Sequence, residues 1–159
     1  KYSYHFISKR DVSFLKTYQE QVCKIAYQSF NFSRFHKDNN IDNNLACEIK
    51  YRWVKNYFLG KRGDEMIVVK NGHNQIVGFL LLILLSKNLW SIDLIAVSLE
   101  HRGKRIATKL ISYFLSSLKF DHTKSIIVGT RLENSISINL YEKCGFYYDS
   151  ANHVYHSHW

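Results

Sequence analysis

The chain has 159 residues, 46% hydrophobic and 15% aromatic, which is enough for one compact domain with a real core and too apolar for extended disorder. Lys and Arg outnumber Asp and Glu by 22 to 13, a formal charge of +9 that favours anionic partners: nucleic acid, an anionic membrane surface or phosphorylated small molecules. Cys23, Cys47 and Cys144 lie far apart and form no CxxC pair, so no disulfide framework or zinc site is expected, and the pattern fits reduced thiols in a cytoplasm. The N-terminal stretch "KYSYHFISKRDVSF" lacks the uninterrupted apolar core of a signal peptide.

In chain order, residues 3–8 read as a short strand. A helix follows from Asp11, a plausible N-cap, with Leu15, Tyr18, Val22, Ile25 and Ala26 at three- and four-residue spacing. Residues 31–44, rich in Asn and Asp, read as a long loop. A second helix is expected from Leu45 to Phe58, stopping at Gly60. "EMIVVK" and "QIVGFLLLILLS" flank the turn "NGHN" and read as a hairpin. The apolar run Ile76–Leu85 is too short to span a bilayer as a helix, and its β-branched start makes it a buried strand rather than a peripheral membrane segment. Residues 89–98 form a third strand, and Gly103 to Leu118 an amphipathic helix with Ile106, Leu110, Phe114 and Leu118 on one stripe. A strand over 124–130 and a helix over 134–144, ended by Gly145, come next. "GFYYDS" and "HVYHSHW" are expected to close the fold as a strand pair. The order is mixed α/β with no internal repeat and no linker. A single domain over 1–159 is expected, with 1–64 as leading helices and loop, 65–148 as the core and 149–159 as a closing strand.

"EHRGKRIATKL", residues 100–110, joins a strand to a helix, so its basic turn lies where unpaired backbone N–H groups and the helix dipole favour an anion. Arg105 stands where a phosphate-binding turn often has a second glycine; it still donates its backbone N–H. The alternative is a capped surface helix with solvated lysines and arginines.

Together, "LIAVSLEHRGKRIATKLI", "VGTRLENSISINLYEKCGF" and the preceding hairpin resemble the GCN5-related N-acetyltransferase (GNAT) superfamily over residues 65–148. That family's turn reads Gln/Arg-x-x-Gly-x-Gly/Ala; Arg102 fills the first place, Arg105 replaces the middle glycine and Ala107 fills the last. The resemblance implies a twisted, mostly antiparallel sheet of six to seven strands flanked by four helices. It further implies that Gly103, Lys104, Arg105, Ile106, Ala107 and Thr108 hold the acetyl-CoA pyrophosphate. Ile95, Ala96 and Val97 would run beside the pantetheine arm, and Asn134 would hydrogen-bond it or help splay the strands. Tyr141 would face the sulfur as the acid for the departing thiolate, since a phenol and a thiolate are of comparable basicity.

Simple alternation puts Asp93 on one face with Ile95 and Val97, if no bulge intervenes, which makes it the candidate base; the alternative is a carboxylate bonded to a neighbouring loop. His36 and Glu65 are weaker candidates. Cys144 has no adjacent His to activate it, so an acyl-cysteine is not favoured. His156 and His158 share a strand face without a third ligand, and no metal is expected.

"SFNFSRFHKD", "IKYRWVKNYFLGKRGD" and "YHSHW" resemble the bacterial dTDP-fucosamine acetyltransferase group. That implies a dTDP-linked amino sugar as acceptor, with Ser33, Arg34, Phe35 and Trp53 supplying phosphate contacts and base stacking; the alternative is an aromatic segment covering a core edge. Competing readings keep acetyl-CoA but use a protein N-terminus, a lysine or a small amine, or make the domain a non-catalytic sensor. A nucleic-acid module is not favoured, because no RNP, KH or helix-turn-helix signature is present. No membrane partner is expected, and a homodimer is left open.

Overall fold

The computed structural model describes residues 1–7, 12–30, 34–38, 40–118 and 125–153, without the side chains of 12–15 and 34. Two compact units divide the chain, Lys1–Gly129 and Thr130–Trp159. The first holds β1 (Ser3–Ile7), α1 (Val12–Ser29), a 3-10 turn (Arg34–Lys37), α2 (Asn43–Phe58), β2 (Glu65–Lys70), β3 (Ile76–Ser86), β4 (Leu89–Val97), a second 3-10 turn (Leu99–His101), α3 (Ile106–Leu118) and β5 (Ser125–Val128). The second holds α4 (Ser135–Lys143).

The five strands lie in chain order, antiparallel from β1 to β4, with β5 parallel to β4. The apolar run Ile76–Leu82 is buried throughout, as a central strand covered on both faces must be. Phe79 and Leu81 join Met66, Val68, Leu94 and Ala96 in a core with Val22, Ala26, Val54 and Tyr57 of α1 and α2. The alternate residues Ile67, Leu80, Leu82 and Ile92 are buried too, on the face covered by α3 through Ile106, Leu110, Ile111 and Phe114.

Local chemistry sets the boundaries. Asp42 caps α2, its carboxylate accepting from the Asn44 N–H at 2.8 Å, so the helix begins at Asn43, earlier than Leu45. The buried Tyr57 hydroxyl donates to the Ile7 carbonyl at 2.6 Å, fastening α2 to β1.

The described residues hold five strands rather than six or seven. The shortfall lies at the C-terminus, where 146–153 form no strand and 154–159 lie outside the described residues. Tyr147 and Tyr148, neighbours that a strand would point to opposite faces, are both strongly exposed, so neither face is buried to fix a strand register. The Asp11 cap also lies outside the described residues, as do Ser33, His156 and His158.

Candidate active site

β5 pairs with β4 only from Leu89–Ser125 to Ile92–Val128, whereas β4 continues to Val97. From residue 93 onward, among the described residues, β4 pairs on its β3 side alone. The Ser98 N–H donates to the Val77 carbonyl at 2.9 Å, which fixes the phase of the ladder. Alternation then directs the backbone groups of Ala96 toward β3 and those of Ile95 and Val97 toward the open edge. The Val97 carbonyl accepts from Arg102 Nε at 3.1 Å, tying the following turn to the strand end.

That turn contains two residues in the left-handed region, Gly103 at φ 74° and Arg105 at φ 57°. Arg105 thus adopts the backbone that a glycine would adopt at no cost, and a right-handed helix cannot include either residue. α3 accordingly begins at Ile106, not Gly103, and its first bond runs from the Lys109 N–H to the Arg105 carbonyl at 3.1 Å. The six N–H groups from Gly103 to Thr108 donate to no acceptor among the described residues. Lys104 Nζ turns back onto the Glu100 carbonyl at 3.0 Å. The result is a concave run of backbone donors at the positive end of α3.

At Asp93 a bulge intervenes, and the carboxylate follows the alternative reading, bonded to a neighbouring loop. Leu94 pairs with Leu81 but Ile92 pairs with Leu82, so Asp93 is the extra residue of a β-bulge. The bulge breaks the alternation that would put Asp93 on the face of Ile95. Its carboxylate instead meets Arg62 in the turn after α2, accepting from Nε at 2.7 Å and Nη2 at 2.6 Å. The Arg62 guanidinium lies 4.1 Å from the centroid of the Trp53 ring, and Lys50 Nζ lies 3.6 Å from that ring. Phe35 meets Trp53 edge-on at 6.4 Å. Phe35 and Trp53 are thus brought together, with two cations against the indole. Arg34 begins the 3-10 turn that carries Phe35.

Of the weaker base candidates, His36 points Nε2 at Cys47 Sγ, 3.3 Å away, and burial followed by the nearby Lys50 lowers its pKa. Glu65 begins β2.

In the second unit, Asn134 caps α4. Its Oδ1 accepts from the Ser137 N–H at 3.2 Å, and its Nδ2 donates to Ser137 Oγ at 2.8 Å and Thr130 Oγ1 at 3.1 Å. Tyr141 is buried, with its ring 5.8 Å from that of Phe146. Burial, with a smaller effect from Cys144, pushes its pKa up to about 12. Such a phenol stays protonated at neutral pH, and toward a thiolate it acts as a hydrogen-bond donor that parts with its proton less readily than an ordinary tyrosine.

Arg62 and Lys50 were not singled out by sequence reasoning. Arg62 is 31 positions from Asp93, and no local period links them. Lys50 and Trp53 do stand three apart on α2, a helical neighbour spacing that gave the one legible signal.

A mostly antiparallel sheet whose last strand pairs in parallel with only the first part of β4, ahead of a nest of helix-terminal N–H groups, gives an α/β fold with an open strand edge leading to backbone donors. The chain belongs to the acetyltransferase (GNAT) family, whose model matches residues 23–146. It is 30% identical over 137 residues to the spore coat polysaccharide biosynthesis protein SpsD of Bacillus subtilis (strain 168), covering 86% of this chain and 46% of that protein. It is 38% identical over 55 residues to N-alpha-acetyltransferase 30 of Saccharomyces cerevisiae, covering 35% of this chain and 31% of that protein. The chain spans less than half the length of either relative. Ard1 from Thermoplasma volcanium shares the fold, with a TM-score of 0.63 at 21% identity over 94% of this chain and 84% of its own. No described helix is long and apolar enough to cross a membrane.

Proposed function

We propose that this chain transfers an acetyl group from acetyl-CoA to the amine of a nucleotide-linked deoxyamino sugar, by direct attack in a ternary complex. The observation that carries the donor half is the open edge of β4 running into the nest from Gly103 to Thr108. In this reading Ile95 and Val97 pair with the amides of the pantetheine arm, and the nest binds the pyrophosphate with support from Lys104 and Arg105. A backbone N–H on that edge steadies the oxyanion as the neutral amine attacks the thioester carbon. Tyr141 donates to the departing thiolate, and Asn134 holds the first turn of α4 that carries Tyr141.

The sugar half rests on the long similarity to SpsD, whose name places it in polysaccharide biosynthesis, and on the excess of cations over anions. The shorter similarity to N-alpha-acetyltransferase 30 favours a protein N-terminus as the second reading.

A free-thiol assay with acetyl-CoA tests both against a panel of dTDP-linked 4-amino sugars, N-terminal peptides and polyamines. Release of CoA with the sugar nucleotides, slowed at least about tenfold in Tyr141→Phe, is the expected result. Turnover with peptides alone moves the assignment to the second reading. Failure to bind acetyl-CoA overturns both.

A further inference from the structure

The proposed function leaves the Arg62–Asp93–Trp53 cluster without a task. We infer that Arg62 is the seat for the acceptor's phosphate, that Lys50 supports it from α2, and that Asp93 is its positioning residue. The inference rests on the nucleotide-sugar reading above.

A guanidinium has five N–H donors. Asp93 takes two of them, Nε–H and one on Nη2, and the remaining three have no partner among the described residues. The side chain of Asp93 is only 10% exposed whereas that of Arg62 is 29% exposed, so the pair turns its cationic side outward. The Trp53 ring supports the guanidinium plane at 4.1 Å, and Lys50 Nζ adds a second cation at that ring. A guanidinium fixed by a carboxylate behind it and an indole beside it is pre-oriented to take two oxygens of a phosphate, with little rotamer freedom left to lose on binding.

Location separates this site from the phosphates of acetyl-CoA. The nest follows the end of β4 at Val97, whereas Asp93 marks where the open edge begins. Four residues of strand separate the two by roughly 13 Å. One pyrophosphate cannot occupy both. The anion at Arg62 therefore belongs to the second substrate, and in a nucleoside diphosphate sugar it is the diphosphate. Trp53, already faced by Arg62 and Lys50, serves in this account as the platform for the cations.

The test compares wild type with Arg62→Met, Arg62→Lys, Lys50→Met and Asp93→Asn, each checked for unchanged circular dichroism and melting. Steady-state kinetics with a dTDP-linked amino sugar is set beside calorimetric binding of dTDP and of acetyl-CoA. Arg62→Met is expected to raise the acceptor KM by about thirtyfold or more and to weaken dTDP binding in parallel, with kcat changed less than about threefold and acetyl-CoA affinity unmoved. Arg62→Lys keeps the charge but loses the fork and should recover only part of the affinity. Asp93→Asn should raise KM less than Arg62→Met, because it loosens the guanidinium without removing it. Lys50→Met should have the smallest effect on KM.

Equal acceptor KM and dTDP affinity in wild type and Arg62→Met overturn the inference alone. A parallel loss of acetyl-CoA affinity also overturns it, by making the pair a structural clasp. A wild-type protein that neither binds dTDP nor acetylates any nucleotide-linked sugar overturns the underlying reading, and this inference with it.

Discussion

The open edge of β4 and the cluster around Trp53 adjoin at Asp93, yet they are built from different material. Along the edge and the turn beyond it, the groups on offer are backbone N–H and C=O, set by strand phase and by two left-handed residues. Around Trp53 they are side chains from α2, the turn after it and a bulge in β4. Backbone geometry can survive a changed side chain, as Arg105 in a glycine's conformation demonstrates. Side-chain geometry cannot, because Arg62 is held by a carboxylate 31 positions away and by the Trp53 ring, and loses its orientation with either. The proposed donor half should therefore tolerate substitution more readily than the proposed acceptor half.

The largest expected break comes at Gly63, beside Arg62. It sits at φ 71°, and a Cβ there would lie 2.7 Å from Leu81 Cδ1 and 3.2 Å from Tyr57 Cδ2. Gly63→Ala combines a left-handed penalty with an overlap in the core, together about 3 kcal/mol. A urea unfolding midpoint well below wild type is the expected result. In the folded fraction, weakened acceptor binding with intact acetyl-CoA binding would sharpen the contrast between the halves; equal loss of both would erase it.

Next in size is an alkaline effect from α4. Burial raises the Tyr141 phenol from 10.0 to about 12 in the folded state. A raised folded pKa means that the full stability is present below pH 10 and is lost as pH rises toward 12. The loss is about 2 to 3 kcal/mol, from two pKa steps. Tyr141→Phe should remove that component of the alkaline destabilisation and delete one tyrosinate, with a midpoint near 12, from an absorbance titration. A wild-type stability that falls no more steeply than that of the variant would show an ordinary, solvated phenol, and would return Tyr141 to the basicity expected from sequence.

This division also explains what was legible in the sequence. The helices and strands of the first unit follow from period and turn chemistry: buried Tyr18, Val22 and Ala26 keep the helical spacing, and the Ile76–Leu82 run is the doubly covered strand. The nest was legible because it is local, six consecutive residues ahead of an amphipathic stripe. The bulge was not, since an extra residue in β4 is defined by its partner strand and leaves no mark on apolar alternation. A carboxylate bonded to a neighbouring loop was among the readings for Asp93, but its partner was hidden, because Arg62 lies 31 positions away. The strand expected over "GFYYDS" failed for a different reason: its aromatics were present, but Tyr147 and Tyr148 cover no core, while 154–159 lie outside the described residues.

The smallest effect, and the most direct probe of a backbone-built donor site, is Arg105→Gly. At φ 57° the arginine bears a left-handed cost of about 1 to 2 kcal/mol, while glycine adds about 0.5 to 1 kcal/mol of unfolded-state entropy. The balance favours the variant by up to about 1.5 kcal/mol, seen as a melting temperature equal to or a few degrees above wild type. Because the N–H at 105 survives, acetyl-CoA affinity should fall no more than about threefold, the share of one partly solvated cation. Arg105→Val keeps the same N–H but puts a β-branched side chain at a positive φ, so it should lower the melting temperature and weaken acetyl-CoA binding more than glycine does. If glycine proves as damaging as valine, the arginine side chain rather than the turn holds the anion, and the donor half is built from side chains after all.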